Sequence, residues 1–227
     1  MPKSRQPRMC WSGWMRTSSL ALWLFLLVGE ALAQYESSQC SDTNLTTYLR
    51  TESLLTNEMP ILTLTELTLN QCAQKCSESE KGCHSFEYNA AKQSCALKLA
   101  NAQPFGRSVL VPSTQPGIAF FQQICIPTKN LCAAPYSFER FPQRVLAGHA
   151  MEVVSVDNLS TCLRECLESR ERMHLDCRSA MYYYETGQCI LNREQRKTAP
   201  HLFSSDTKYQ LVDYFENKSV IFKLFKR

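Results

Sequence analysis

Glycine and proline are scarce in this chain, with only 7 and 10 residues among 227. That scarcity excludes collagen-like repeats and Pro/Gly-rich low-complexity sequence. Hydrophobic residues make up 44% of the chain, which is typical of a folded protein and not of a disordered one. The length suits one or two domains.

Long hydrophobic runs are also lacking. The apolar run Leu20–Val28 has nine residues, whereas a membrane-spanning helix needs about 20. It follows a basic leader and precedes Ala31-Leu32-Ala33, a small-x-small cleavage site, so residues 1–33 are predicted to be a secretory signal. We therefore expect a secreted, extracellular product of 194 residues, with no membrane span after cleavage.

An excess of charge of one sign is absent once the signal is removed. The remaining chain has 21 basic and 20 acidic residues, a net charge of +1. This balance predicts no binding to nucleic acid or to anionic lipid. A local basic cluster could bind a sulfated glycosaminoglycan: Arg164, Arg170, Arg172, Arg178, Arg193, Arg196 and Lys197. Because glutamates interleave with these residues, a solvated face of mixed charge is the favoured interpretation.

Enzyme motifs are missing as well. The chain contains neither G-x-S-x-G nor H-E-x-x-H, and its four histidines lie in no nucleophile or metal motif. We therefore expect a protein that is not an enzyme and that has no catalytic residues, cofactor or metal.

Cysteine, in contrast, is abundant, with 12 residues. Cys10 leaves with the signal, and secretion into an oxidising compartment makes disulfides the expected state of the others. The remaining eleven fall into two sets of similar spacing: Cys40, Cys72, Cys76, Cys83, Cys95 and Cys125, then Cys132, Cys162, Cys166, Cys177 and Cys189.

The two sets mark an internal repeat. A shift of 90 places Cys72 on Cys162, and a shift of 94 places Cys95 on Cys189. The four extra residues fit a longer loop over Leu167–Asp176. The repeat predicts two domains, 40–125 and 132–219, followed by a short basic-apolar tail, 220–227.

The second repeat lacks its sixth cysteine, because the shift of 94 places Cys125 on Ser219. Cys132 is therefore predicted to have no partner within the chain. Two alternatives remain open for its thiol, an intermolecular disulfide that links two copies or burial in an unreactive position.

Each C-x-x-x-C is predicted to lie on a helix, since cysteines four apart share one helical face. Thr68 and Gln71 form a capping-box pattern at the start of the first helix, and Asn158 is a plausible N-cap for the second. Short segments rich in apolar residues predict strands: Ser85–Tyr88, Ala96–Leu99, Ala180–Tyr184, Gln188–Leu191 and Leu211–Phe215.

These motifs resemble the PAN/Apple family. The matching segments are the two helical C-x-x-x-C motifs, then Cys83–Tyr88 with Cys95–Leu97, and Cys177–Ser179 with Cys189–Leu191. The resemblance implies an α+β fold of two tandem disulfide-rich domains, each a small antiparallel sheet cradling one helix. It also implies a set of disulfides that spacing cannot choose from the 15 pairings of six cysteines: Cys40–Cys125, Cys72–Cys95, Cys76–Cys83, Cys162–Cys189 and Cys166–Cys177.

Zinc coordination is the alternative function for four side chains, Cys72, Cys76, Cys83 and His84. Secretion argues against free thiolates, and the second repeat has Arg178 in place of His84. Disulfides are therefore favoured.

Tandem copies behind a signal are similar to the N-terminal part of invertebrate matrix proteins that join PAN domains to a zona pellucida domain. The implied function is a secreted binding module that contacts an extracellular protein or carbohydrate, in the matrix or at the cell surface. The alternative is a soluble, truncated isoform that competes with a longer, membrane-anchored relative.

Two further surface features are predicted. Three tripeptides match the N-glycosylation sequon, at Asn44, Asn158 and Asn217. The run Tyr182-Tyr183-Tyr184 could form a partner surface, since tyrosine is enriched at interfaces. On a strand Tyr183 would face away from the other two, so that one side of the run contributes to the core.

Overall fold

The computed structural model describes residues 40, 44–102, 110–129, 131, 134–205 and 210–219. The predicted signal, the tail 220–227 and Cys132 lie outside these residues, so the two alternatives for the Cys132 thiol stay predictions. The described residues belong to one compact unit.

The first repeat contributes one helix, α1 (Leu69–Ser77), which lies between its third and fourth strands. Its described strands are β1 (Leu45–Glu52), β2 (Leu54–Thr56), β3 (Leu62–Leu64), β4 (Ser85–Asn89), β5 (Ser94–Lys98), β6 (Leu110–Pro112) and β7 (Ile118–Ile126).

The second repeat follows the same order around α2 (Leu159–Met173), with a short 3-10 turn at Pro200–Leu202. Its described strands are β8 (Tyr136–Pro142), β9 (Arg144–Leu146), β10 (Ala150–Ser155), β11 (Ser179–Tyr183), β12 (Gln188–Asn192), β13 (Phe203–Ser205) and β14 (Val212–Asn217).

One sheet of ten strands runs through both repeats, in the order β10-β12-β11-β14-β8-β1-β7-β4-β5-β3. Within each repeat the strands pair antiparallel. The two halves meet where β1 pairs with β8 in parallel, with Leu49 opposite Phe138. Two small ribbons, β2 with β6 and β9 with β13, complete the described strands. The small antiparallel sheet with one helix, predicted for each repeat, is thus confirmed, and the two sheets are joined.

Helix α1 begins as its sequence predicts. The Thr68 hydroxyl accepts a hydrogen bond from the Gln71 N–H at 3.3 Å, and the Gln71 side chain accepts one from the Thr68 N–H at 2.9 Å. This capping box satisfies two of the N–H groups that a helix start leaves unpaired. The helix turns Cys72 and Cys76 towards the sheet, where both are buried.

Helix α2 is longer than the comparison of the two repeats predicted. Its 15 residues exceed the nine of α1, so most of the segment Leu167–Asp176 is helix and not the loop predicted from the repeat. The added turns are rich in Glu and Arg, which have high helix propensity. The helix ends at His174, which adopts the left-handed conformation with φ 54°.

The turn between β11 and β12 requires glycine. Gly187 has φ +67°, and a Cβ atom there would lie 2.5 Å from the Val156 carbonyl oxygen. The Val156 N–H donates to the Gly187 carbonyl at 2.9 Å. A glycine at this turn therefore lets the chain that leads into α2 pass against the hairpin.

Five disulfides connect the described cysteines, and they are the pairs that the family resemblance implies. In each repeat one bridge ties the helix to a strand of the hairpin, with Cα–Cα distances of 5.7 Å for Cys72–Cys95 and 5.6 Å for Cys162–Cys189. A second bridge ties the helix to the residues that follow it. Cys40–Cys125 joins the start of the first repeat to its last strand, across 85 residues.

The two helices lie on opposite faces of the sheet. Tyr48 belongs to the buried cluster beneath α1, whereas its neighbour Leu49 belongs to the cluster beneath α2. Successive side chains of a strand point to opposite faces. Equivalent parts of the two repeats therefore cover opposite sides of one sheet.

The hydrophobic cores cross the boundary between the repeats. The cluster beneath α2 includes Leu49, Ile124 and Ile126, all from the first repeat. In the other direction, Tyr136 of β8 packs against Phe121, with ring centroids 5.8 Å apart. Each helix is thus covered in part by the other repeat's strands.

A network of ion pairs crosses the seam between β1 and β8. Arg50 of the first repeat pairs with Glu139 of the second. Lys218 lies 2.7 Å from Glu139 and 2.8 Å from Glu216, and Arg196 lies 3.1 Å from Glu216. Burial acts to raise the pKa of Glu139, but the hydrogen bond from Lys218 and the three nearby cations outweigh it, so that the net pKa is lowered.

Because Ile126 is fully buried under the helix of the other repeat, we expect Ile126→Ala to lower the free energy of unfolding by about 2–4 kcal/mol. Denaturant unfolding followed by circular dichroism should show one transition that shifts as a whole. Leu62→Ala, at a side chain that is 44% exposed, is the control and should shift it little. Two separate transitions, only one of which moves, would show that the repeats unfold independently.

The lowered pKa of Glu139 predicts a pH-dependent contribution to stability. The ionised form is favoured in the folded state, so its contribution is present above the ordinary value of 4.5 and disappears as the pH falls through the lower folded value. We expect Glu139→Gln to cost about 1–3 kcal/mol at neutral pH, with the difference from wild type closing below pH 4.5. Unfolding midpoints across pH, with exposed Glu185→Gln as control, measure this effect; a constant difference at all pH values contradicts it.

Candidate functional site

Four residues of the basic cluster described in the sequence analysis form ion pairs with acidic side chains. Arg164 and Arg172 both pair with Glu165, and Arg196 belongs to the seam network. Arg170 lies 3.8 Å from Asp176. This distribution agrees with the interpretation of a mixed-charge face and provides no built anion site.

The three sequons differ in their surroundings. Asn44 is partly exposed, and Asn158 is exposed. The Asn158 Oδ1 atom caps α2 by accepting from the Thr161 N–H at 2.9 Å, which leaves the Nδ2 atom pointing away from the cap. Both positions are compatible with a glycan.

Asn217 is a correction to the predicted glycosylation sites. Its side chain is buried, with the residue only 3% exposed. The Nδ2 atom donates to the Cys177 carbonyl at 3.0 Å, and Oδ1 accepts from the Ser219 N–H at 2.9 Å. A glycan at Nδ2 would have to displace this packing, so the folded structure excludes it.

Metal sites are not evident in the described part of the chain. No group of three or more His, Cys, Asp or Glu side chains there is placed to hold an ion. The cysteines of the proposed zinc alternative, Cys72, Cys76 and Cys83, are all in disulfides.

A groove of about 300 Å³ lies between the start of α2 and the sheet. We call it the tyrosine groove, and its lining residues are Ile124, Asp157, Asn158, Leu159, Ser160, Tyr182 and Tyr184. It is built by both repeats, because Ile124 comes from β7 and the other residues from the second repeat.

The alternation of β11 creates the aromatic wall of this groove. Tyr182 and Tyr184 share one face, with ring centroids 5.0 Å apart and planes at 79°. Tyr183 packs instead with Met181 and Tyr214 on the opposite face. The predicted alternation of the tyrosine run therefore holds, and both sides of the strand contribute to the core.

A buried polar chain holds Tyr184 in place. Its hydroxyl donates to Asp213 Oδ2 at 2.9 Å, and Arg140 Nε donates to the same oxygen at 2.7 Å. The Arg140 side chain is completely buried, and it also donates to the Ala102 carbonyl of the first repeat at 3.3 Å. This chain connects the groove to the other repeat.

Both phenols of the groove stay neutral at physiological pH. Burial raises the pKa of Tyr184 far above its usual value, with Arg140 opposing the rise and Asp213 adding to it. Burial, together with the charge of Asp157, also raises the pKa of Tyr182. The two rings thus offer neutral aromatic surface, while Asp157, Asn158 and Ser160 offer polar groups at the rim.

This combination suits a ligand with an apolar face and several hydroxyl or amide groups. Aromatic side chains bury the apolar face, and a few placed polar groups set the orientation. The sequence pointed to this site only through the tyrosine run and the Asn158 cap. Ile124 and the Arg140–Asp213 pair lie far away in sequence, so no local pattern identified them. Neither described helix has the length and apolar character that a bilayer crossing requires.

The chain is similar in sequence to a nematode protein. The chain is 30% identical over 195 residues to the uncharacterized Caenorhabditis elegans protein F52C9.5, an alignment that covers 82% of this chain and 30% of that protein. The chain thus spans about a third of that relative's length.

Among solved structures, the chain is similar to the two N-terminal apple domains of Toxoplasma gondii microneme protein 4. The match covers 78% of this chain and 94% of that one, at 16% sequence identity and a TM-score of 0.29.

The family model described as PAN domain matches this chain twice, at residues 46–125 and 132–220. These matches coincide with the two repeats and their disulfide-tied helices. The chain therefore belongs to the PAN domain family, and it carries two tandem copies of the domain.

Proposed function

We propose that this protein is a secreted, non-enzymatic binding module of the extracellular matrix or the cell surface. PAN domains are typically modules that bind protein or carbohydrate. The disulfides support an extracellular location, because such bridges persist in oxidising compartments. In this proposal the joined sheet acts as a rigid support that holds a ligand site in shape.

The tyrosine groove is the observation that carries the proposal. The Tyr184 ring is held by a hydrogen bond to Asp213 and packs edge-on against the Tyr182 ring, so little ordering is needed when a ligand binds. The neighbouring carboxylate of Asp157 and amide of Asn158 can accept and donate hydrogen bonds to sugar hydroxyls. Carbohydrate is therefore the ligand class that the groove favours, and a protein partner is the second candidate.

The competing role of a soluble regulator stays a prediction. In that role the protein would occupy the partners of a longer, membrane-anchored relative.

We expect the protein to bind glycans on an array and Asp157→Ala to weaken that binding about tenfold or more, since a buried ligand hydroxyl would lose its charged acceptor. Asp176→Ala is the matched control, because Asp176 is an exposed carboxylate beyond the other end of α2. Equal binding by wild type and Asp157→Ala would exclude the groove as the site, and no binding to any glycan would leave the protein-ligand candidate to be tested on immobilised matrix proteins.

The array measurement needs protein without a glycan on Asn158, because that residue lines the groove. Production in a host that does not attach N-glycans, under conditions that allow the five disulfides to form, keeps the Asn158 amide in the groove. The wild type and both variants are compared in this form.

Expression in a glycosylating secretory cell should give a glycan at Asn44 and none at Asn217. The buried amide of Asn217 hydrogen-bonds to the Cys177 carbonyl, so an attached sugar has no room in the folded chain. Mass spectrometry of glycopeptides before and after enzymatic deglycosylation measures occupancy. Full occupancy of Asn217 in soluble, folded protein would contradict the packing of β14.

A further inference from the structure

The tyrosine groove contains a polar group that the folded chain leaves unused. Tyr182 is only 4% exposed, and its hydroxyl makes no hydrogen bond with any residue that the structure describes. The hydroxyl oxygen is nevertheless not enclosed, and the groove is the opening that this side chain lines. A buried tyrosine ordinarily finds a hydrogen-bond partner for its hydroxyl. The Tyr182 hydroxyl is therefore available to a group that enters the groove.

The equivalent tyrosine of the first repeat is satisfied within the chain. Tyr88 occupies the position of Tyr182, and its hydroxyl donates to the Leu67 carbonyl at 2.9 Å. In the second repeat Asp157 takes the place of Leu67, one residue before the N-cap of the helix. The fold can thus pair this hydroxyl internally, and the second repeat does not do so.

Asp157 supplies an acceptor to the same groove. Its side chain is exposed and belongs to the groove lining. A carboxylate accepts hydrogen bonds, whereas a neutral phenol can donate one. Burial, and then the charge of Asp157, raise the pKa of Tyr182, so that this phenol keeps its proton at physiological pH. The groove therefore offers a ligand one donor and one charged acceptor.

An apolar wall completes the groove. Ile124 and Leu159, each 6% exposed, line it together with the ring of Tyr184. The volume of about 300 Å³ is at the lower end of the range for ligand pockets, so the groove suits one compact group and not an extended chain.

We propose that the tyrosine groove recognises the acetamido group of an N-acetylhexosamine. This inference rests on the proposed function, because it names the ligand class of the same groove. The acetamido carbonyl accepts a hydrogen bond from the Tyr182 hydroxyl, and the acetamido N–H donates one to the Asp157 carboxylate. The methyl group packs against the apolar wall. One planar substituent thus meets the donor, the acceptor and the apolar surface together.

Other common substituents of sugars meet only part of this arrangement. A hydroxyl can donate and accept, but it leaves the apolar wall uncovered. A carboxylate has no proton to donate and is repelled by Asp157. A protonated amine has no lone pair to accept from the Tyr182 hydroxyl. Of these four groups, the acetamido group alone satisfies all three features of the groove.

Titration of the disulfide-bonded full chain, produced without N-glycans, with methyl glycosides tests the ligand class by NMR. The probes are the glycosides of N-acetylglucosamine and N-acetylgalactosamine, and the matched controls are those of glucosamine, glucose and galactose. We expect the acetylated probes to bind about tenfold or more tightly than the controls, since the controls leave part of the groove unpaired. Equal affinity for acetylated and parent sugars overturns the acetamido inference and leaves the groove as a carbohydrate site. Absence of binding to every sugar overturns both the inference and the choice of carbohydrate as ligand.

The two equivalent tyrosines provide a matched pair of variants. Tyr182→Phe should weaken binding of the acetylated probes about tenfold and leave the unfolding midpoint close to that of wild type, because its hydroxyl has no partner in the free chain. Tyr88→Phe should lower the unfolding midpoint, since the Leu67 carbonyl loses its donor, and should leave the affinity unchanged. Weaker binding in both variants, or in neither, contradicts the role of the Tyr182 hydroxyl.

Discussion

The parallel pairing of β1 with β8 determines the form of this molecule. Each strand begins its repeat, so the pairing joins two equivalent edges and relates the repeats by an approximate two-fold axis along the strands. The hydroxyls of Thr47 and Ser137, which are 90 residues apart and equivalent in the repeat, lie 3.0 Å from each other. Because such an axis exchanges the faces of a sheet, the helices lie on opposite sides. The interleaved cores and the groove between repeats follow from this one junction.

The disulfides stabilise each repeat, whereas the contacts across the seam between β1 and β8 hold the two repeats together. Within each repeat, one bridge attaches the helix to its hairpin and a second attaches it to the residues that follow the helix. Loss of such a bridge from a small secreted domain typically costs roughly 2–5 kcal/mol. None of the five bridges crosses from one repeat to the other. The association of the repeats therefore depends on non-covalent contacts, namely the buried side chains beneath α2 and the ion pairs around Glu139.

Sequence reasoning succeeded where the determining interactions are local. The capping box at Thr68, the N-cap at Asn158 and the central hairpin strands are each set by residues a few positions apart. It failed where the structure depends on contacts between residues that are far apart in the sequence. The joining of two edge strands leaves no local pattern, and the burial of Asn217 depends on Cys177, 40 residues away. The predicted loop after Cys166 was wrong for another reason, because the alignment counted the extra residues without weighing their helix propensity.

Arg50 and Arg140 occupy equivalent positions in the two repeats, but the junction of β1 with β8 gives them different surroundings. Arg50 and Arg140 are 90 residues apart, yet Arg50 lies opposite Glu139, so that Arg140 points to the other face. Arg50 is partly exposed and contributes to the ion pairs of the seam. Arg140 is fully buried, and its partner Asp213 also holds the hydroxyl of Tyr184. Burial of an arginine is tolerated only when its charge is paired and its donors are satisfied, and Asp213 and the Ala102 carbonyl meet both conditions. The cost of that burial explains why the aromatic wall of the groove and the packing of the first repeat are energetically linked: displacing Ala102 or Asp213 would leave a buried charge without its partners.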